Sequence, residues 1–273
     1  MRRRLAQLAV NGALALFALL TALPLLWMIS ASFMPTGEAA SLPARLLPSQ
    51  LTIEHYGTLF SRLDLGRTLG NTFLLATSIT AISLLCNSMA GYAFAKLRFR
   101  GRGRLFALLL ATLVVPPQVT VLPLFLEIRT LGLVNSFGGV IVAAIATVFG
   151  IFLIRQFALA IPDELLDAAR IDGASELRIY WTIVLPALRP ILITLGVFTF
   201  LSAWNDFMWP LIVLTDQTKY TLPVALANLS GEHVQDTELM MAGAVVTVLP
   251  GLLLFLALQR YYVQGILMGS VKE

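Results

Sequence analysis

Apolar residues in this chain do not alternate with polar ones; they accumulate in runs. Six runs hold most of them: residues 8–33, 71–94, 105–126, 137–157, 190–214 and 239–259. A helix advances about 1.5 Å per residue, so about 20 consecutive apolar residues cross the hydrocarbon of a bilayer. The pattern therefore predicts an all-α integral membrane fold of six transmembrane helices, in a single membrane domain over residues 1–273. The fourth run reads as uninterrupted. In the third, Pro116-Pro117-Gln118 falls near mid-depth. Proline lacks a donor and leaves a carbonyl free, so a break is expected there. The first run follows Arg2, Arg3 and Arg4, as a secretory signal would. Its apolar core is too long for one and five more runs follow, so it is read as a retained helix.

Composition strengthens this picture. Charged residues make up 12% and hydrophobic ones 58%, whereas a soluble domain carries about 25% charged residues. Net charge is +4, but its placement matters more than its sum. Cations gather on cytoplasmic loops. With the N-terminus inside, only Arg45, Arg62, Arg67, Arg129 and Lys219 of the 19 Lys and Arg fall on outer segments, leaving 14 on inner ones. Both termini are then cytoplasmic. The basic excess is a topology signal, and nucleic acid is not among the expected partners. Gly101-Arg102-Gly103 lacks the Gly-Lys-Ser/Thr of a phosphate loop. Residues 34–70 and 215–238 form long polar outer segments, the second of them acidic. His55 and His233 are expected to be solvated there and to hold no metal. Cys86, alone, excludes an intrachain disulfide framework and a cysteine-based zinc site. No internal repeat is apparent.

The segment 158–189, between the fourth and fifth runs, carries the most information. Pro162 suits a helix start, with Asp163 and Glu164 in the first turn, and Gly173 ends that helix. Leu165, Ala168 and Ala169 stand at i, i+3 and i+4, beside Asp163, Asp167 and Arg170. Small side chains permit close approach, and charges at the margin orient it. Helices that lie on lipid favour bulky apolar and basic residues, so this acidic start points to a protein partner. The run Glu164-Leu-Leu-Asp-Ala-Ala-Arg-Ile-Asp-Gly-Ala174, followed by Leu185-Pro186, closely resembles the EAA loop of ABC-importer permeases. Asp167 replaces the usual Glu; Ala168, Ala169, Gly173 and Pro186 match. Ala203-Trp-Asn-Asp-Phe-Met-Trp-Pro210 and Lys219-Tyr-Thr-Leu-Pro223 resemble the carbohydrate, MalG-like branch, and the similarity runs over essentially the whole chain.

That resemblance implies a sugar permease in a bacterial cytoplasmic (inner) membrane. The implied partners are a second permease subunit in a heterodimer, a dimer of cytoplasmic ATPases, and an extracytoplasmic solute-binding protein. ATP is used by the ATPase subunits, and this chain is expected to bind no cofactor and to be no enzyme. Glu164, Asp167, Ala168, Ala169, Asp172, Gly173 and Pro186 become the expected ATPase-coupling residues, and the tail 269–273 is expected to reach the ATPases. Polar groups at membrane depth are costly and often functional. Trp204, Asn205 and Asp206 in the fifth run, with Pro116, Pro117 and Gln118 in the third, are therefore the candidate substrate pathway. Asn87 in the second run is expected to bond helix to helix. Glycerol phosphate or another polyol remains an alternative solute. An ion-driven secondary transporter is disfavoured by the missing repeat, and an intramembrane enzyme by the missing catalytic motifs.

Overall fold

The computed structural model describes residues 2–43, 45–232 and 236–270. The described residues are overwhelmingly helical, in two compact units: Met1–Thr68 with Leu222–Pro250, and Leu69–Thr221 with Gly251–Glu273.

The helices, in chain order, are α1 (Arg2–Ala31), α2 (Glu54–Arg62), α3 (Leu65–Lys96), α4 (Arg102–Ala111), α5 (Pro117–Thr130), α6 (Phe137–Val142) and α7 (Val148–Leu159). Then come α8 (Asp163–Ile171), α9 (Glu176–Ile179), α10 (Leu185–Ala187), α11 (Arg189–Trp204), α12 (Met208–Val213), α13 (Leu222–Glu232) and α14 (Thr237–Ser270). Three unbroken segments are long and apolar enough to cross a membrane: Val10–Ala31, Leu65–Lys96 and Thr237–Leu254. They coincide with the first, second and sixth runs. None of the apolar window of α1 is buried within the chain. A helix apolar on all sides and uncovered must meet lipid or another subunit.

The other three runs are interrupted. The third bends by 109° between Thr112–Val114 and α5, with Pro117 opening the new helix, as the proline pair predicts. The fourth, expected to be continuous, stops at Val142 and restarts at Val148. Its break is tertiary in origin. Asn87 of α3, fully buried, accepts a hydrogen bond from the Thr147 amide at 2.9 Å and donates to the Thr147 hydroxyl at 3.2 Å. Thr147, in extended conformation, then caps α7 through Gly150 N–H. The expected helix-to-helix bond of Asn87 is present, and it holds the chain open. The fifth run ends α11 at Trp204 and resumes as α12. Asn205 amide N–H still reaches Leu201 O, and Asp206 Oδ1 accepts from Trp209 N–H at the start of α12.

In the first unit the outer segments are ordered by polar ties. Trp27 Nε1 donates to Arg45 O at 3.2 Å and Ser30 Oγ to Leu46 O at 2.6 Å, which folds residues 45–46 back along α1. Glu38 accepts from Arg45 and from both the amide and hydroxyl of Ser49. Partial burial pushes the Glu38 carboxyl up, but these hydrogen bonds together hold it below the usual carboxylate range. His55 is not solvated as expected: it is 3% exposed, with Nε2 donating to Met34 O at 2.8 Å. An imidazole with an internal acceptor can be buried at little cost, and nothing in the local sequence marks that acceptor. His233 lies outside the described residues. Much of the segment 215–238 is helix α13, whose Leu222, Val224, Ala225 and Leu226 are buried.

Candidate coupling surface and solute cavity

The helix predicted at residue 163 forms as α8. It ends in a left-handed Gly173 at φ +79°, with Ala174 N–H bonded to Ala169 O and Gly173 N–H to Arg170 O, each at 3.0 Å. These two bonds use carbonyls that the helix end would leave orphaned, and only glycine takes that φ without strain. At 100° per residue, α8 presents two sides. Leu166, at 1% exposure, faces a core with Ile154, Ile161, Ile179 and Val184, and half-buried Ala169 packs against the same core. Glu164, Leu165, Ala168, Ile171 and Asp172 are exposed, Leu165 by 49% and Ile171 by 87%. The outward surface is thus centred on Ala168 with two apolar neighbours, and Ala169 turns inward. Pro186 lies in α10, exposed, beyond a π-helical turn at Tyr180–Val184.

Two polar ties that the sequence did not disclose hold this segment to α3. The Lys96 ammonium, its side chain only 6% exposed, donates to Asp163 Oδ1 at 2.7 Å, to Ile161 O at 2.5 Å and to Leu159 O at 3.3 Å. Tyr92 OH donates to Glu176 Oε2 at 2.8 Å; Glu176 accepts from Arg170 at 2.7 Å, and Arg170 reaches Asp167 at 2.6 Å. The partners are 67 and 84 residues apart in sequence, so no local pattern could reveal them. The Asp167 that stands for the usual Glu is therefore engaged within the loop.

The hydrogen bond from Lys96 and its charge hold the Asp163 carboxyl below the usual aspartate range. A lowered folded-state value means the tie is complete at neutral pH and is lost only as pH falls through that lowered value. Carboxyl carbon NMR of labelled aspartate should show the Asp163 midpoint below that of an ordinary aspartate. In Lys96→Met its midpoint should rise, because the main cause of the lowering is removed. An unmoved midpoint would mean the ammonium does not govern this carboxylate.

The interruptions in the third, fourth and fifth runs meet at one place. Pro117 and Gln118 from the first break, Ala144 and Thr147 from the second, and Asp206 and Met208 from the third line one cavity of about 780 Å³, with Ile79, Thr199, Ser202 and Trp209. Trp209 is held by Nε1 donating to Gly139 O at 3.2 Å. Of the six sequence candidates, Pro117, Gln118 and Asp206 share this cavity. Pro116 caps α5; Trp204 is 3% exposed and stacks on Phe200; Asn205 donates back to Leu201 O. Thr147, missed by sequence reading, belongs with them. A larger groove of about 1060 Å³ runs past Trp181, Pro186 and Phe200; its lining is mainly apolar and includes Arg189, just beyond the 79° bend between Glu176–Ala187 and Arg189–Trp204. The described residues hold no cluster of His, Cys, Asp and Glu suited to a metal.

Apolar helices broken around a solute-sized cavity, with a short exposed helix strapped to their ends, define a membrane transport subunit. Comparison with known proteins makes this specific. Residues 87–268 match the family described as binding-protein-dependent transport system inner membrane component, and the chain belongs to that family. It is 39% identical over 261 residues to the arabinooligosaccharides transport system permease protein AraQ of Halalkalibacterium halodurans, covering 94% of each chain. It is 33% identical over 272 residues to the lactose transport system permease protein LacG of Rhizobium radiobacter, covering 100% of this chain and 98% of that one. Among solved structures, a bacterial ABC transporter involved in the import of the acidic polysaccharide alginate has a chain that superposes with a TM-score of 0.84 at 24% identity, covering 95% and 97%. That likeness establishes the fold.

Proposed function

We propose that this chain is one membrane-spanning subunit of an ATP-driven importer for a sugar or oligosaccharide. The observation that carries the reading is the convergence of three helix breaks on one cavity, at Pro117–Gln118, Thr147 and Asp206. Discontinuous helices with polar groups at their breaks are how membrane transporters build solute sites. The relatives named above are permeases for arabinooligosaccharides and lactose, which places a saccharide first among solutes.

In this reading the six runs cross the bacterial inner membrane as one domain with both termini in the cytoplasm, and a second permease subunit completes the pathway. A separate pair of ATPase subunits supplies the energy and docks on the exposed face of α8, through Glu164, Leu165, Ala168 and Asp172, with Gly173 shaping the end of the lever. Lys96 and Tyr92 carry its movement into α3. A solute-binding protein delivers sugar on the opposite side, against residues 34–70 and 215–238. The tail 269–273 adds a contact to the ATPases; its last three residues lie outside the described ones.

The test is co-purification with the partner subunits and a solute-binding protein, followed by ATPase stimulation with a panel of sugars and with glycerol phosphate. Stimulation by at least one saccharide and not by glycerol phosphate is expected. Stimulation by glycerol phosphate alone would replace the sugar by that solute. Cysteines at Arg102 and Ser230, in a protein lacking Cys86, should label from opposite sides of the membrane; labelling from one side would overturn the topology.

A further inference from the structure

We propose that Asp206 makes the cavity select neutral saccharides against anionic ones, an inference that rests on the sugar-permease reading and narrows its substrate class. Asp206 is the one ionisable side chain among the residues lining the cavity; the lining holds no lysine, arginine or histidine. The remaining polar groups are Gln118 and hydroxyls such as Thr199 and Ser202. This set suits a ligand that both donates and accepts hydrogen bonds. Sugar hydroxyls do both, and a carboxylate accepts two of them well. A uronate or a sugar phosphate adds an anionic group that only accepts, and that group meets a carboxylate with no cation among the lining residues to offset it.

Helix N-termini could reverse that sign, because each carries about half a positive charge. Three begin at this cavity. Thr147 already accepts from Gly150 N–H at the start of α7, and Asp206 itself accepts from Trp209 N–H at the start of α12. Only α5 begins without a side-chain cap. Half a charge at Pro117 does not cancel a full one at Asp206 in a cavity with mainly apolar walls, where charges are poorly screened.

The experiment is equilibrium binding to the purified complex of this chain with its partner subunits, before any binding protein is added. The probes are a radiolabelled neutral oligosaccharide and the same oligosaccharide with a terminal uronic acid. The neutral probe should bind at least about tenfold more tightly, the scale expected for a like-charge contact at reduced dielectric. Asp206→Asn should shrink the ratio to near unity, and Asp206→Glu should keep it. Equal affinities in the wild-type complex, preference for the uronate, or an unchanged ratio in Asp206→Asn would each overturn the proposal, and the first two need no variant. Sugar-stimulated ATPase activity, measured in parallel with the binding protein, separates the two levels. If it is present while the ratio ignores Asp206, the charge filter alone fails. If no saccharide stimulates or binds, the sugar reading fails and the filter with it.

Discussion

Ala168→Asp should abolish ATPase docking while leaving the membrane subunit intact. Ala168 is exposed, at the centre of the outward face of α8, between Leu165 and Ile171. Substitution on an exposed helix surface shifts stability by no more than about 0.5 kcal/mol, so insertion and abundance should be unchanged. Once a partner covers this face, the new carboxylate is buried without a counter-ion. That costs several kcal/mol, and each 1.4 kcal/mol is tenfold in the docking equilibrium. Co-purification of the ATPases should fall at least tenfold and sugar uptake should disappear. Ala169→Asp provides the contrast. Ala169 packs inward against the core around Leu166 and Ile179, so its charge should reduce the amount of permease as well. Normal uptake with normal ATPase content in Ala168→Asp would remove α8 from the coupling path.

Gly91→Leu should remove folded permease from the membrane. A Cβ at Gly91 would stand 2.5 Å from Ile154 Cγ2, 2.7 Å from Ile154 Cβ and 3.0 Å from the Arg155 backbone nitrogen. Here α3 and α7 touch nearly backbone to backbone, and no rotamer of a larger residue avoids the contact. Two effects compete. Leucine favours a helix over glycine by under about 1 kcal/mol. Overpacking costs about 1–3 kcal/mol, and more where backbone must move. Sterics should win, and the loss reaches the Asn87–Thr147 bonds that depend on the same spacing. Gly103→Leu is the control, since nothing lies within 4 Å of its Cβ position. Monodisperse yield after detergent extraction should drop several-fold for Gly91→Leu and stay near wild type for Gly103→Leu. Equal yields would mean that α3 and α7 can separate freely.

Both predictions rest on contacts of very different legibility. The exposed helix at 163–171 was readable because its signals are local: the acidic first turn, the 3–4 spacing of apolar positions and the glycine that ends it. The direction in which it faces was not. Ala168 and Ala169 differ by one position, and which one points outward depends on where Leu166 finds its core. The same holds for the cavity. Pro116-Pro117 marked its own break because proline cannot continue a hydrogen-bond ladder. Asp206 stood out because carboxylates are rare in apolar runs. Thr147 gave no sign, since threonine is ordinary in a membrane helix.

What the sequence by itself determined is therefore what short-range chemistry controls. Run length and hydropathy set the membrane class and marked six apolar runs, three of which are unbroken helices in the structure, and the motif over residues 164–186 named the family later matched over residues 87–268. Tertiary structure alone decided the rest. It opened the fourth run, because the Thr147 amide gains a buried bond to Asn87, 60 residues away, in place of its helical one. It strapped α8 to α3 through Lys96 and Tyr92, and it brought three breaks from three helices onto one cavity. An apolar run specifies that its backbone must be satisfied internally; it does not specify by which partner, and a side chain from another helix satisfies an amide as well as the carbonyl four residues back.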